Sequence, residues 1–158
     1  MRALAEAVLT RCRDKKLMIA TAESCTGGLI AGALTDIAGS SDIIERGFVT
    51  YSNRAKTEML GVPAALIAWH GAVSAEVARA MATGALAHAP VDLTVAVTGI
   101  AGPGGGSAEK PVGLVHLATT RRGGKTHSEH QIFPGDRSAI RRATVERALE
   151  LIQAAAEQ

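Results

Sequence analysis

Aromatic residues and net charge are both scarce in this sequence. One Trp, one Tyr and two Phe make up 3% of the 158 residues, so an aromatic platform for stacking single-stranded bases is poorly supplied. The formal net charge is only +2, and Lys and Arg are scattered apart from Arg121-Arg122 and Arg141-Arg142. A basic stripe for a nucleic acid duplex is therefore missing. We expect no direct nucleic acid partner.

The sequence also lacks long apolar runs and a cysteine framework. No apolar run approaches the roughly 18 residues that cross a bilayer, and the N-terminus carries charge from Arg2 onward without an apolar leader. Cys12 and Cys25 have no CxxC spacing, and His127 and His130 would lie on opposite faces of a strand. We therefore predict a cytoplasmic protein with free thiols, no membrane contact, no metal and no cofactor.

The residues that are present have the balance of an ordinary globular domain. Hydrophobic residues make up 47% of the chain and charged residues 20%. A chain of this length buries roughly 68–70% of its unfolded surface, and we expect one domain over residues 1–158. Helical and strand patterns alternate, which predicts an α/β fold with three α/β/α layers around a mixed parallel and antiparallel sheet.

Apolar periodicity and turn residues predict the individual elements. The expected strands are 17–20, 48–51, 93–97, 114–118 and 126–133, the last being polar on both faces as in a protected edge strand. Residues 121–124 are expected to join the last two strands as a hairpin. The expected helices include one ending near 13–16, one capped by Ser52 or Asn53, one capped by Ser74 and a last one capped by Asp136. The helix after the first strand is expected to have one apolar face made of Leu29, Ile30, Ala33, Leu34 and Ile37. Gly84 inside the Ser74 helix indicates close packing of that helix against the sheet.

The stretch from Ala20 to Gly28 is the candidate active site because it turns a strand sharply into a helix. The first N–H groups of such a helix lack partners and point at whatever lies in the turn. Ser24 is either a nucleophile beside these donors or simply a helix cap. Cys25 is a second candidate nucleophile, but no histidine lies near it in the sequence.

Two further segments are expected to meet this turn at one end of the sheet. One is the corner from Tyr51 to Lys56, where the lysine is either a general base or a solvated side chain and the tyrosine either helps it or lies in the core. The other is the glycine-rich loop 98–107, which matches neither GxGxxG nor the P-loop pattern and is either a nucleotide-binding loop or only a mobile one.

Several ordered motifs together resemble the C-terminal domain of the CinA (competence/damage-inducible) family over nearly the whole chain. The motifs are residues 21–28, residues 47–53 followed by Lys56, and residues 71–74, 98–103 and 110–113. The resemblance is to the stand-alone form, because longer members carry an additional N-terminal domain. It implies hydrolysis of the carboxamide of nicotinamide mononucleotide to nicotinate mononucleotide and ammonia.

The resemblance also implies roles for particular residues. Carried over by position, Ser24 is the catalytic serine, Tyr51 and Lys56 support it, Thr98 is the active-site threonine and Arg137 is the arginine before the last helix. The remaining predicted substrate-binding residues are Cys25, Thr26, Gly27, Gly99 and Gly102.

Two other classes of function stay open at this point. The same features, apart from the Ser, Tyr and Lys combination, suit a non-catalytic nucleotide-binding module, and the family name suggests an interaction protein in competence or DNA damage. We expect a small-molecule nucleotide as substrate and a homo-oligomer, with a dimer favoured because most oligomers are two-fold symmetric.

Overall fold

The computed structural model describes all 158 residues and contains one five-stranded mixed sheet. The strands are β1 (Ile19–Glu23), β2 (Ile44–Val49), β3 (Leu93–Gly99), β4 (Leu114–Arg121) and β5 (Thr126–Ile132). Their order is β2-β1-β3-β4-β5. β1 pairs in parallel with β2 and β3, whereas β4 pairs antiparallel with β3 and β5. The predicted mixed sheet and the edge position of β5 are confirmed.

Six helices cover the two faces of the sheet. They are α1 (Arg2–Asp14), α2 (Leu29–Thr35), α3 (Asn53–Leu60), α4 (Ala64–His70), α5 (Ala75–His88) and α6 (Arg137–Glu157), with one 3₁₀ turn at Ser40–Asp42. One buried apolar cluster joins α1, α2 and α6 to one face, and another joins α3, α4 and α5 to the opposite face. This arrangement confirms the three α/β/α layers. No helix combines the length and the apolar character that a bilayer crossing needs.

Side-chain caps begin three of the helices as the sequence predicts. Ser52, Ser74 and Asp136 each accept a hydrogen bond from the N–H group three residues later. The choice left open between Ser52 and Asn53 is thereby decided in favour of Ser52. These caps fix the residues at which α3, α5 and α6 begin.

The first three strands depart from the prediction at their ends, where polar residues are buried. β1 runs two to three residues later than expected, to Glu23, because Thr21 and Glu23 are fully buried polar residues that a search for apolar periodicity does not include. β2 begins earlier than predicted and ends before Tyr51. β3 continues through Thr98 and Gly99, so the expected glycine loop begins inside a strand.

The inner face of α2 also differs from the prediction. Ile30 and Leu34 of the predicted face are fully buried, and Ala33 and Ile37 pack against the core, but Leu29 is 44% exposed and Ile37 lies beyond the end of the helix. The helix is only seven residues long, so its apolar stripe is narrower than the sequence pattern suggests.

Gly84 packs against another helix rather than against the sheet. A Cβ at this position would lie 2.1 Å from the carbonyl oxygen of Leu60, the last residue of α3. The predicted partner of Gly84 is therefore wrong, although the close approach itself is present.

Gly84→Ala is expected to destabilise the protein, because the new methyl group must push α5 away from α3. Overpacking of this kind costs about 1–3 kcal/mol, and here the obstacle is backbone. Gly32→Ala is the matched control: Gly32 is an exposed helical glycine with no atom within 4 Å of the new Cβ, so a stabilisation of about 0.5–1 kcal/mol is expected. Urea unfolding of both variants checks this, and equal effects at the two sites would contradict it.

Candidate active site

The carboxyl ends of β1, β2 and β3 surround a cavity of about 210 Å³. Seven of the ten predicted site residues line this cavity: Ser24, Cys25, Tyr51, Lys56, Thr98, Gly99 and Arg137. Thr26, Gly27 and Gly102 do not line it. A larger groove of about 710 Å³ lies between α1, α2 and α6, but none of the three predicted catalytic residues lines that groove. The smaller cavity therefore carries the candidate chemistry.

Lys56 reaches this cavity as a buried amine with no carboxylate partner. Its side chain extends from the first turns of α3. Lys56 is 1% exposed and forms no ion pair within 4.0 Å. Its Nζ lies 3.0 Å from Ser24 Oγ, 3.0 Å from the carbonyl oxygen of Thr50, 3.3 Å from that of Tyr51 and 3.5 Å from that of Ser52. Burial lowers the pKa of Lys56 below its usual value because the charged form loses its hydration.

The neutral form of the lysine can satisfy its three nearest partners. A neutral amine has two N–H donors and one lone pair. The two donors can bind the carbonyl oxygens of Thr50 and Tyr51, which leaves the lone pair for the hydroxyl of Ser24. The arrangement can therefore take the Ser24 proton, which is the task of a general base. The interpretation of Lys56 as a solvated surface lysine is wrong.

Ser24 does not cap the following helix. α2 begins at Leu29, and the residue before it is Gly28 with φ 100°. Ser24 itself lies just past the end of β1, where its N–H donates to the carbonyl oxygen of Val97 at 3.1 Å. The helix-cap interpretation is therefore wrong, and the Ser24 hydroxyl makes its hydrogen bond with Lys56 alone.

The side chain of Glu23 binds the N-terminus of α2, which we expected to face the cavity. Its fully buried carboxylate accepts hydrogen bonds from the N–H groups of Ile30 and Ala31 at 2.9 and 3.0 Å. It also accepts from the hydroxyls of Thr26 at 2.6 Å and Thr21 at 3.1 Å. The first N–H groups of α2 are thus already bound and are not available to a ligand.

The donors left beside Ser24 belong to the turn rather than to the helix. The N–H groups of Cys25 and Thr26 donate no hydrogen bond to another residue, whereas that of Gly27 donates to the carbonyl oxygen of Ser24. Unpaired N–H groups next to a nucleophile are what an oxyanion hole requires. Of these two residues only Cys25 lines the cavity, so its N–H is the remaining candidate donor beside Ser24, and the expected origin of the donors in the helix terminus is corrected.

Tyr51 and Arg137 form a separate pair at the cavity wall. The Tyr51 side chain is 62% exposed, so its interpretation as a core residue is wrong. Arg137, the first residue of α6, donates from Nη2 to the Tyr51 hydroxyl at 3.1 Å and from Nη1 to the carbonyl oxygen of Gly102 at 2.7 Å. Tyr51 therefore contacts Lys56 through its backbone oxygen, and its hydroxyl contacts the arginine.

Two more predicted residues shape the cavity wall. The hydroxyl of Thr98 donates to the carbonyl oxygen of Ala72 at 2.9 Å. A Cβ on Gly99 would lie 2.6 Å from a methyl group of Val115, so only glycine fits there without movement of β4. Thr98 thus binds the end of β3 to the segment before α5, and Gly99 allows β3 to lie close to β4.

Cys25 lines the cavity as a thiol rather than as a thiolate. Burial raises its pKa to about 11, so the neutral form dominates at neutral pH. Of the two candidate nucleophiles, Ser24 is the one in contact with a base. No three His, Cys, Asp or Glu side chains are grouped closely enough to hold a metal ion.

Sequence reasoning missed two residues that hold the Ser24 turn. Glu23 binds it from the side of α2, and Arg141 of α6 binds the carbonyl oxygens of Cys25 and Thr26 at 3.0 and 3.1 Å. The only local signal for Glu23 is a carboxylate between two threonines in a segment that otherwise reads as buried. Arg141 has no local signal, because it lies 116 residues after Cys25.

Comparison with protein families matches the chain to one family over almost its whole length. The model of the CinA C-terminal domain matches residues 1–156. A CinA-like protein of Akkermansia muciniphila is 54% identical over 92% of this chain, but the chain spans only 35% of the length of that relative. The nicotinamide-nucleotide amidohydrolase PncC of Escherichia coli (strain K12) is 49% identical over 94% of this chain and 90% of its own length.

A solved structure agrees with the fold. The crystal structure of the competence/damage inducible protein CihA from Agrobacterium tumefaciens has a TM-score of 0.96 with this structure at 54% sequence identity. The match covers 99% of this chain and 95% of the other. The three-layer architecture around the candidate site is thus shared with a protein determined by crystallography.

Proposed function

This chain belongs to the CinA C-terminal domain family, and from that premise we propose that it is an amidohydrolase that converts nicotinamide mononucleotide and water to nicotinate mononucleotide and ammonia. The contact that carries the proposal is the 3.0 Å distance between Lys56 Nζ and Ser24 Oγ, between a buried amine with no carboxylate and a hydroxyl with no other partner. The amidohydrolase named PncC, which aligns with nearly all of this chain, supports the choice of reaction and substrate.

The acylation step begins at Ser24. Its Oγ attacks the carboxamide carbon while the lone pair of neutral Lys56 takes the hydroxyl proton. The tetrahedral intermediate collapses when Lys56 returns this proton to the amide nitrogen, the C–N bond breaks and ammonia leaves. The product of this step is a nicotinoyl ester on Ser24.

The deacylation step uses the same two residues with water. Lys56 takes a proton from a water molecule, whose oxygen attacks the ester carbon, and the C–O bond to Ser24 breaks. Lys56 then returns the proton to Ser24 Oγ, and the carboxylic acid ionises to give nicotinate mononucleotide. In both steps the N–H of Cys25, which lines the cavity and donates to no other residue, is the available donor for the charge on the carbonyl oxygen.

The size and charge of the cavity fit the two parts of this substrate. Pockets for drug-sized ligands have volumes of about 300–1,000 Å³, so a cavity of about 210 Å³ suits the nicotinamide ring rather than the whole nucleotide. Arg137 stands at the wall, and no carboxylate lies within 4.0 Å of its guanidinium. Its charge is therefore free to attract the phosphate outside the ring pocket.

The direct test is release of ammonia from nicotinamide mononucleotide by the purified protein, with nicotinamide riboside, which lacks the phosphate, for comparison. Turnover of the mononucleotide supports the proposal. Equilibrium binding without turnover favours the alternative of a non-catalytic nucleotide-binding module, and neither binding nor turnover favours the interaction protein. The predicted dimer and the lack of direct nucleic acid contact stay predictions, to be checked by sedimentation and by DNA titration.

The pH dependence of kcat/KM is expected to show an ascending limb controlled by Lys56. Burial lowers the pKa of this lysine, and only the neutral amine accepts a proton. The rate should therefore rise about tenfold per pH unit below this pKa and level off above it, at a pH lower than the usual pKa of about 10.4. Initial rates across the pH range check this, and Lys125→Met, which removes an exposed lysine, should leave the limb in place. A rate that falls as pH rises over the same range would contradict Lys56 as base.

A further inference from the structure

Residues 71–73, which we call the wall segment, connect the end of α4 to the Ser74 cap of α5. Two of them, Ala72 and Val73, line the same cavity as Ser24. The wall segment belongs to no helix or strand, so its position depends on contacts with other parts of the chain.

Three consecutive carbonyl groups, from residue 70 to residue 72, each accept a hydrogen bond from a side chain. The pairs are Lys110 Nζ to His70 O at 2.7 Å, Ser74 Oγ to Gly71 O at 2.8 Å and Thr98 Oγ1 to Ala72 O at 2.9 Å. Thr98 thus attaches the middle of the wall segment to β3. Lys110 attaches its α4 end to the glycine-rich side of the site.

The bond from Lys110 is the charge-assisted one of the three. His70 is the last residue of α4, so its carbonyl oxygen has no partner within the helix, and a cation is favourable at this end. Lys110 is half-buried and forms no ion pair within 4.0 Å. A Cβ on Gly71, whose φ is 78°, would lie 2.9 Å from Lys110 Nζ, so the ammonium packs directly against the wall segment.

The backbone that carries Lys110 is itself held in a closed turn. The N–H of Ser107 donates to the carbonyl oxygen of Lys110 at 2.8 Å, and the N–H of Lys110 donates to Ser107 Oγ at 3.0 Å. The lysine therefore reaches α4 from a fixed base. The motifs at residues 71–74 and 110–113 meet at this contact.

We propose that Lys110 is a positioning residue that holds the wall segment in the place where it fits the pyridine ring of the substrate. This inference rests on the proposed amidase function. Lys110 does not line the cavity and acts through the backbone at His70 and Gly71. When the wall is in place in only a fraction of the molecules, the apparent affinity for the substrate falls by that fraction.

The kinetic test compares Lys110→Met with Lys125→Met, the same substitution at an exposed lysine. Loss of the charge-assisted bond is expected to raise KM for nicotinamide mononucleotide roughly tenfold. The kcat should change by less than about twofold, because the bound substrate already has the wall in place and Lys110 contacts neither Ser24 nor Lys56. Lys125→Met should match the wild type, and Lys110→Arg, which keeps a cationic donor, should keep KM within about threefold.

Three kinetic outcomes would overturn the inference. They are an unchanged KM in Lys110→Met, a loss expressed in kcat rather than KM, and a KM in Lys110→Arg as high as in Lys110→Met. A lowered melting temperature with an unchanged KM would mean that Lys110 only stabilises the end of α4. If Lys110→Met does not fold, Lys110→Gln, whose amide is neutral and shorter, takes its place and decides the question.

A second readout needs no substrate and so separates this inference from the proposed reaction. The N–H of Gly71 donates to Ile67 O at 2.8 Å, and its hydrogen exchange, followed by NMR, reports opening of the α4 end of the wall segment. Lys110→Met is expected to exchange this amide roughly tenfold faster than the wild type, and Lys125→Met at the wild-type rate.

The two readouts together distinguish failure of the proposed function from failure of the inference. If the wild type does not hydrolyse nicotinamide mononucleotide but Gly71 exchanges faster in Lys110→Met, the substrate proposal fails while the role of Lys110 in holding the wall segment stands. Equal exchange rates in the wild type and Lys110→Met would overturn that role whatever the substrate is.

Discussion

Ser24→Ala and Lys56→Met are each expected to reduce kcat for nicotinamide mononucleotide hydrolysis by roughly 10⁴–10⁶-fold. The alanine variant lacks the atom that forms the acyl bond, and the methionine variant lacks the lone pair that takes the proton. The two side chains meet at 3.0 Å in a buried cavity, and the neighbouring Cys25 thiol does not replace Ser24 because burial keeps it neutral. Ammonia release at saturating substrate is the measurement.

The double variant tests whether Ser24 and Lys56 act as one catalytic unit. Residues that act as one unit in catalysis show strongly non-additive losses, so Ser24→Ala with Lys56→Met should be no slower than the slower single variant. Ser41→Ala and Lys125→Met are the matched controls, because both residues are exposed and lie outside the cavity. They should retain wild-type kcat.

Two results would contradict the Ser24 and Lys56 assignment. One is a Ser24→Ala variant that is folded, as judged by its melting temperature, and keeps more than about a tenth of the wild-type kcat. The other is a double variant whose loss equals the product of the two single losses, which would mean that the residues act independently.

Glu23→Ala is expected to destabilise the protein by about 3–5 kcal/mol, a large share of the 5–15 kcal/mol typical of a folded domain. The substitution removes a fully buried carboxylate and leaves two N–H groups of α2 and two threonine hydroxyls without an acceptor. Each buried donor left unsatisfied costs about 1–3 kcal/mol, and relaxation of the turn recovers part of the sum. Glu23→Gln keeps one acceptor oxygen and should lose less.

Urea unfolding measures this effect against a control at another glutamate. Glu58 of α3 is exposed and pairs with Arg54 one helical turn earlier, so Glu58→Gln should change the free energy of unfolding by no more than about 0.5 kcal/mol. A Glu23→Ala variant within about 1 kcal/mol of wild type would mean that water can replace the carboxylate, and the anchoring role of Glu23 would be wrong.

The parts of the fold that could be predicted were those with a regular local signal. The Ser74 and Asp136 caps, the strand at Leu93 and the hairpin before Thr126 all carry their turn or periodicity residues within a few positions. The end of β1 at Glu23 could not be predicted in this way. A charged residue ends an apolar pattern in the sequence, yet in the folded chain its charge is bound by donors up to eight residues away.

The candidate site, like the fold, could be predicted from the sequence only in part. The resemblance of the motifs placed Ser24, Lys56 and Thr98 together, and the structure brings all three to one cavity. The interpretation of the Ser24 turn as a helix terminus was wrong, since Gly28 intervenes and Glu23 binds the helix N–H groups. The same correction leaves the N–H of Cys25, in the turn, as the candidate oxyanion donor.

The choice of Ser24 and Lys56 followed from the resemblance of the motifs. Apart from that, the sequence by itself determined the α/β/α class and the segments in which the candidate chemistry lies. These depend on periodicity and turn chemistry, which act over a few residues. Only the tertiary structure decided that Lys56 loses its hydration beside Ser24 and that Arg141 binds the turn from 116 residues away. Burial and long-range hydrogen bonds arise when distant segments pack together, and it is burial that lowers the pKa of Lys56 toward the range a base needs.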